Sequence, residues 1–193
     1  MSHARRSALG GRILAGFLLF LVIPYGIAAP ERQDSAKKMP EYELKAGFLY
    51  NFAKYVEWPA DSFEKKESPI TIGIVGADPF GGALEKTLKD REAQDRKFSI
   101  VRFRELGEVK RCHILFVPKS EKAKVQEILK KVEGLATLTV GEAEGFAAAG
   151  GAVNILIEKD RPRLEINTEA ADKAKLTIQA RLLKLATLVK TDK

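Results

Sequence analysis

The sequence predicts one α/β domain: a mostly parallel sheet of about five to six strands, with helices on both faces and a C-terminal antiparallel hairpin. Two observations support this fold class. Short apolar runs rich in β-branched residues, such as 70–75, alternate with segments of helical period, which is typical of a parallel sheet covered by helices. Two later runs, 152–158 and 161–167, flank the short turn Lys159-Asp160 and therefore predict a hairpin.

The first 28 residues predict a secretory signal peptide. Three arginines precede an apolar run over residues 13–27, and the small residues around Ala28 are typical of a cleavage site. The apolar run is shorter than a membrane span of about 20 residues, so an uncleaved anchor is the less favoured alternative. Residues 29–40 are polar and aperiodic, and we expect them to form a flexible lead-in to a domain over 41–190.

Charge and cysteine content limit the function classes. The chain carries 33 basic and 26 acidic residues, and loss of the three arginines of the signal peptide lowers its net charge from +7 to +4. Basic residues alternate with acidic ones, which disfavours nucleic acid as a partner. Cys112 is the only cysteine, so no intrachain disulfide can form even in an oxidising compartment.

The first predicted helix begins near Glu41 and is the most aromatic stretch of the chain. Pro59 ends it near Val56 or Glu57, because the residue before a proline avoids the helical conformation. One arc of the helix is apolar, and we expect a leucine-rich C-terminal segment to cover it; the arc comprises Leu44, Phe48, Leu49, Phe52, Tyr55 and Val56. Lys45 projects within this arc. Its ammonium either reaches outward to water or meets a buried carboxylate or a bound anion.

The middle of the chain predicts four strands and two helices. The strands are expected at 70–75, 98–103, 112–117 and 135–140. Asp78 is expected to cap a helix over 80–89, and Ser120 is expected to cap a helix that stops at Gly134.

The hairpin and the C-terminal segment complete the domain. Pro162 predicts that the second hairpin strand lies at a sheet edge, because proline cannot donate to a ladder. The hairpin alternates acids and bases, which favours ion pairs across the strands over a catalytic carboxylate pair. Asn167 or Thr168 caps the helical C-terminal segment, whose apolar set comprises Leu176, Leu182, Leu183, Leu185, Ala186, Leu188 and Val189.

The sequence shows no catalytic or metal-binding constellation. His113 is the only histidine after residue 28, and its neighbour Cys112 points to the opposite face of a strand. No nucleophile–base pair is evident, so we expect no enzymatic activity and no cofactor. Ligands of open α/β sheets bind beyond the carboxyl ends of the strands. In this chain those ends are predicted at Gly76, Lys119 and Gly141, while the helix starts at Asp78 and Ser120 favour plain capping over anion binding.

Motifs along the whole predicted domain resemble the YfiR family of periplasmic proteins. The residues that carry the resemblance are Leu44-Lys45-Ala46, Leu49 to Pro59, Asp78-Pro79-Phe80-Gly81, Cys112 to Phe116, Ser120-Glu121, Leu138-Thr139-Val140, Gly145-Phe146, Glu165-Ile166-Asn167 and Leu182 to Ala186. The sequence departs from the family pattern in lacking a partner for Cys112. It also has Lys175 where a small residue is expected, which predicts a weaker break between two C-terminal helical pieces.

The resemblance implies a Rossmann-like, three-layer domain that is exported and dimeric. It also implies a regulator that binds the periplasmic part of an inner-membrane diguanylate cyclase, represses it, and so lowers cyclic-di-GMP and biofilm formation. A periplasmic small-molecule sensor subunit for a histidine kinase or a transporter is the alternative. The candidate ligand or partner contacts are Lys45, Asn51, Lys54, Asp78, Lys119, Ser120, Glu165 and Asn167.

Overall fold

The structure is a computed structural model that describes residues 32–159 and 161–192, with side chains from Glu41 onward. The predicted signal peptide and residues 29–31 of the lead-in lie outside the described residues. The elements in chain order are α1 (Arg32–Tyr55), β1 (Val56–Glu57), β2 (Ile70–Val75), α2 (Ala83–Leu88), β3 (Phe98–Phe103), β4 (Ile114–Val117), α3 (Val125–Lys131), β5 (Leu138–Gly141), β6 (Val153–Glu158), β7 (Arg161–Ile166), α4 (Thr168–Lys173), β8 (Thr177–Ile178), α5 (Ala180–Leu183) and β9 (Thr187–Leu188). None of the described helices is both long enough and apolar enough to cross a membrane.

Seven strands form one mostly parallel sheet, in the order β3-β2-β4-β5-β6-β7-β9. The β6–β7 pair is antiparallel, as the hairpin prediction requires, and every other pair in this sheet is parallel. The sheet has one more strand than the upper end of the predicted range, because β9 pairs with β7 through Glu165 and Ile166. A separate two-stranded sheet joins β1 to β8.

The apolar core lies on both faces of the large sheet. Alternate residues of β4 separate the two sides: Ile114 and Phe116 pack with α1 and α2, whereas Leu115 and Val117 pack with α3. This alternation follows from the two-residue period of a strand. The chain is therefore a mixed α/β structure with helices on both faces of its sheet, as predicted.

The first helix is longer than its prediction. It begins at Arg32 and ends at Tyr55. Residues 32–39 contain no glycine, proline or β-branched residue and so favour a helix. Pro40, between them and Glu41, lacks a backbone N–H and removes one helical hydrogen bond, so the first two turns are less stable than the rest of α1. Whether the lead-in is flexible stays a prediction.

The predicted apolar arc packs on the sheet as well as on the C-terminal segment. Its fully buried members are Leu49 and Phe52 of α1 and Val56 of β1, which share one core cluster with β2, β4, β5, β6 and β7. Leu44 is exposed, contrary to its place in the predicted arc. The predicted cover is only partly present, because Leu176 and Leu182 join this cluster while Leu185 and Leu188 remain exposed.

Two predicted helix caps are wrong. Asp78 accepts a hydrogen bond from the backbone N–H of Phe80 at 2.8 Å, whereas α2 begins after Gly82 and has no side-chain cap. Ser120 lies inside the 3-10 helix Lys119–Lys124, which precedes α3 and has Pro118 as its N-cap. The prediction for Asn167 is confirmed, since its side chain accepts the N–H of Ala170 at the start of α4.

The C-terminal segment is broken by a residue with left-handed backbone. Lys175 has a φ of 57° and follows Ala174, the C-cap of α4. The backbone N–H of Leu176 donates back to the carbonyl of Ala171, which closes the helix end. The break is therefore complete despite the absence of a glycine, contrary to the prediction that Lys175 would weaken it.

Replacing Lys175 with glycine is expected to stabilise the protein by about 1 kcal/mol. A left-handed conformation costs a residue with a Cβ about 1 kcal/mol more than it costs glycine. The free energy of unfolding, measured by urea titration, checks this. The control is Lys173→Gly, which lies within α4 and is expected to destabilise by about 1 kcal/mol. A loss of stability in K175G would contradict the assigned backbone conformation.

Candidate functional site

A buried ion pair connects α1 to the carboxyl edge of the sheet. Glu142 directly follows β5, and Lys45 lies in the second half of α1; both side chains are only 3% exposed. The Lys45 Nζ donates to the Glu142 Oε2 at 2.5 Å and also to the Glu41 carboxylate one helical turn earlier. The structure therefore confirms one of the two alternatives for Lys45, the buried carboxylate.

Two further donors complete the surroundings of the Glu142 carboxylate. Its Oε1 accepts the Tyr42 hydroxyl at 3.2 Å and the backbone N–H of Lys119 at 2.8 Å. Because Lys119 follows β4 and Glu142 follows β5, this carboxylate bridges the ends of two adjacent parallel strands. We call Glu41, Tyr42, Lys45, Lys119 and Glu142 the strand-end cluster.

Tyr42 acts only as a hydrogen-bond donor within the strand-end cluster. Burial, the charge of Glu142, the hydrogen bond to Glu142 and the charge of Glu41 all raise the pKa of the Tyr42 phenol. The ring also lies 4.7 Å from the Lys45 Nζ, measured to the ring centroid, and meets Phe80 edge-on. The phenol therefore stays protonated and supports both charges of the pair.

The crevice at the strand ends is filled by the chain's own side chains. The Glu121 carboxylate lies so close to Gly76, at the end of β2, that a Cβ there would overlap it. The ring of Phe146 occupies the space where a Cβ on Gly141 or Gly151 would lie. These close approaches explain why glycine stands at the predicted ligand positions Gly76 and Gly141: it makes room for internal packing.

The larger of the two described cavities lies at the opposite end of the strands. This groove has a volume of about 780 Å³ and runs between the end of α3, the start of β5 and α4. Its walls include Leu129, Thr137, Ala149 and Ala174. None of the predicted contact residues lines it.

Several predicted site residues hold the fold together instead of pointing to a ligand. The Asp78 carboxylate forms an ion pair with Arg102 at 2.7 Å. The Glu165 carboxylate accepts the Asn154 amide at 3.0 Å and pairs with Arg163 at 3.2 Å. Arg163 also pairs with Glu158 on the other strand of the hairpin at 2.9 Å. This pair confirms an ion pair across the strands, whereas the pair of Arg163 with Glu165 lies within β7.

Asn167 and Ser120 have contrasting surroundings. The fully buried Asn167 caps α4, and its amide nitrogen donates to the Ala147 carbonyl and to the Thr191 hydroxyl, both at 2.9 Å. Ser120 is exposed. Neither side chain forms a described hydrogen bond with the strand-end cluster. Ser120 is next to Lys119 only in the chain.

The outward face of α1 carries cations over tyrosine rings. Lys54 is exposed, with its Nζ 5.6 Å from the ring centroids of both Tyr50 and Tyr55. Arg91 lies 4.9 Å from Tyr50, and Arg181 lies 5.7 Å from Tyr55. Asn51, also exposed, is on the same helix. Neither arginine was among the predicted contacts, because only folding brings residues 91 and 181 beside α1.

Cys112 and His113 face different parts of the core, as their adjacent positions predict. Cys112 packs beside α3, where burial raises the pKa of its thiol to about 12. His113 stacks on Phe63 with ring centroids 4.3 Å apart, and its Nδ1 accepts the Thr71 N–H. No group of His, Cys, Asp and Glu side chains in the described part of the chain is arranged to hold a metal ion.

Glu142 and Phe146 are the two structurally important residues whose roles the sequence did not reveal. A weak signal was present, since Glu142 is a charged residue directly after an apolar strand that ends in glycine. Its partner Lys45 is 97 positions away, so no local pattern pairs them.

Comparison with known proteins identifies the family. A family model described as YfiR/HmsC-like matches residues 42–187. A search of curated proteins found no match. Among solved structures, a crystal structure of a conserved domain protein from Vibrio cholerae O1 biovar El Tor is similar, with 12% identity and a TM-score of 0.48. That similarity covers 63% of this chain and 55% of the other, so the chain spans about half of that protein's length.

Replacing Lys45 with methionine is expected to lower the free energy of unfolding by about 3 kcal/mol, because Glu142 then stays buried without its cation. The double variant K45M/E142M is expected to lose less than the sum of the two single variants. Urea titration measures all three. The matched control is Lys86→Met, whose pair with Glu43 is 78% and 49% exposed and contributes less than about 1 kcal/mol. Equal losses in K45M and K86M would contradict a buried, coupled pair.

Acidification is expected to weaken the fold through His113. Burial lowers the pKa of His113 to about 4 from an ordinary 6.5, aided by the charges of Arg111 and Arg96 and opposed by a backbone hydrogen bond at Ser62. Between these two values the unfolded chain binds a proton that the native chain does not. The free energy of unfolding therefore falls as the pH falls through this window, by about 3 kcal/mol in total.

The measurement is urea titration at several pH values between 7 and 4, compared between the native protein and His113→Gln. The difference between the two curves isolates His113 from the carboxylates, which titrate in both proteins. We expect the variant to lose stability less steeply with falling pH. Parallel curves would show that His113 has an ordinary pKa in the folded protein.

Proposed function

The chain belongs to the YfiR/HmsC-like family, and from this membership we propose that it is an exported, non-enzymatic regulator acting by protein contact. Its partner is the periplasmic part of an inner-membrane signalling protein. We propose that this partner is a diguanylate cyclase, that binding holds it inactive, and that cyclic-di-GMP falls as a result. The predicted signal peptide supports export to the periplasm.

The observation that carries the proposal is the extent of the family match. It runs from Tyr42 in α1 to Thr187 at the start of β9, so it includes the sheet from β2 to β7 in full and both members of the buried Lys45–Glu142 pair. Regulatory action through a partner is what the resemblance to the YfiR family implies. The match therefore supports the same class of function for the complete described domain.

The surface of the C-terminal segment is compatible with protein contact. Leu188 is 60% exposed and lies in the edge strand β9, and Leu185, two residues before that strand, is 74% exposed. Exposed leucines in and beside an edge strand favour association with another protein, because the strand also offers unpaired backbone groups. The resemblance also implies a homodimer, in which a second copy of this chain would cover the same kind of exposed apolar surface.

Repression requires a difference in affinity between two partner conformations. The regulator must bind the inactive conformation of the cyclase more tightly than the active one. Each tenfold preference corresponds to about 1.4 kcal/mol, and a nearly complete switch needs about 5.5 kcal/mol. A broad protein interface can supply this difference without any bond being made or broken.

The alternative function, a small-molecule sensor, has less support at the carboxyl ends of the strands, where the sequence predicted a ligand. The strand-end crevice that would receive a ligand contains the side chains of Glu121, Glu142 and Phe146. The Glu142 carboxylate already accepts three donors of the chain itself. Ligand entry there would require these internal contacts to be broken.

Deletion of the gene is expected to raise cellular cyclic-di-GMP, and restoration of the gene is expected to lower it again. The variant L185D/L188D should restore repression at least about tenfold less well, because charge at an apolar contact opposes burial. The control is Val101→Asp, an exposed apolar residue on the opposite edge strand β3. Nucleotide extraction and mass spectrometry measure the outcome.

Unchanged cyclic-di-GMP after deletion, with no membrane sensor recovered by affinity purification of the native protein, would overturn the proposal. Recovery of a histidine kinase or a transporter in place of a cyclase would overturn the cyclase assignment alone.

A further inference from the structure

Five side chains form a continuous row on the outward side of α1. In order across the surface they are Arg91, Tyr50, Lys54, Tyr55 and Arg181, alternating a cation with a ring. The distances from cation to ring centroid are 4.9, 5.6, 5.6 and 5.7 Å along the row. We call these five residues the cation–tyrosine band.

The band combines three separate parts of the chain. Tyr50, Lys54 and Tyr55 belong to α1, Arg91 lies between α2 and β3, and Arg181 belongs to α5. Both rings are half-buried and pack against the core. Tyr50 contacts Phe98, with ring centroids 5.9 Å apart. Packed rings restrict the cations above them, which lowers the entropy lost when a partner binds.

The three cations of the band lack carboxylate partners within the side chains that the structure describes. Lys45, Lys86, Arg102, Lys124 and Arg163 each lie within 4.0 Å of an acidic oxygen, whereas Lys54, Arg91 and Arg181 do not. All three are exposed. Most of the other lysines and arginines that the structure describes also lack such a pair, so the band is set apart because its three unpaired cations lie together over packed tyrosine rings.

The composition of the band is typical of a protein interface. Tyrosine and arginine are enriched in protein interfaces and carry much of the binding free energy when a partner covers them. A guanidinium binds a carboxylate through two parallel hydrogen bonds, and the ring beneath it supplies apolar contact to the same partner. Acidic side chains on a protein segment satisfy both requirements together.

We propose that the cation–tyrosine band is the surface on which an acidic segment of the membrane partner docks. This inference rests on the proposed function, and it names the contact surface and the chemistry of the partner. The band includes Lys54, which was one of the predicted contacts. Asn51, another predicted contact, lies beside the band on α1. An anionic lipid surface is the competing occupant; the packed rings disfavour it, because they lie beneath the cations and are not free to insert into a bilayer.

The direct test uses an acetylated and amidated hexaglutamate peptide as the probe. Its binding to the full chain is measured by NMR titration at low ionic strength, where charge contacts are strongest. The variant K54E/R91E/R181E is expected to bind at least about tenfold more weakly than the native protein. The matched control K66E/K110E/K122E changes the net charge equally at exposed lysines elsewhere and should stay within about twofold.

The rings are tested without any change of charge. The variant Y50L/Y55L is expected to weaken hexaglutamate binding about fivefold, because each cation loses the ring that positions it. Circular dichroism and urea titration establish that each variant is folded. Equal binding by native protein, band variant and control would overturn the proposal.

The cellular arm separates this inference from the proposed function. If deletion of the gene raises cyclic-di-GMP and the folded K54E/R91E/R181E variant still represses as well as native protein, the band assignment fails while the regulatory function stands. If deletion has no effect, the regulatory function fails and the hexaglutamate titration still decides the charge preference of the band. Band-dependent binding to phosphatidylglycerol vesicles without hexaglutamate binding would assign the surface to lipid and overturn the proposal.

Discussion

The buried pair of Lys45 and Glu142 is the constraint on which the orientation of α1 depends. Both charges are removed from water, so their separation would leave a buried ion without a partner. The pair therefore restricts how α1 can rotate about its axis. With Lys45 turned toward the sheet edge, Leu49 and Phe52 face the core and Lys54 faces outward. One polar contact in this way determines both the packing of the helix and the surface it presents.

The same cluster explains why this sheet differs from ligand-binding α/β sheets. At the carboxyl ends of such sheets, backbone N–H groups are commonly available to a bound anion. Here the N–H of Lys119 donates to Glu142, and Phe146 fills the space beside Gly141. The strand ends are internally satisfied, whereas the outward side of α1 and the leucines of the C-terminal segment remain exposed. Both favour contact with another protein.

Local sequence was informative for the first buried strand, the hairpin and the cap of α4, but not for every helix cap. The run at Ile70–Val75 forms a strand as its β-branched residues predict, and the hairpin partners pair antiparallel. Asn167 caps α4 as predicted. Capping at Asp78 and Ser120 was predicted wrongly because Asp78 precedes an irregular turn before α2 and Ser120 lies inside a 3-10 turn before α3. Their composition alone does not distinguish these turns from a regular helix start.

By itself, the sequence determined the fold class, the approximate positions of β2 to β7, the family resemblance and the single unpaired cysteine, because periodicity and composition act over short ranges. It did not predict β1, and it assigned the segment that contains β8 and β9 to helix. Only the tertiary structure decided that Lys45 meets Glu142, that Phe146 fills the strand-end space and that Arg91 and Arg181 flank the tyrosines of α1. These contacts join residues far apart in the chain. They depend on strand order and helix rotation, which hydrophobic pattern alone does not specify.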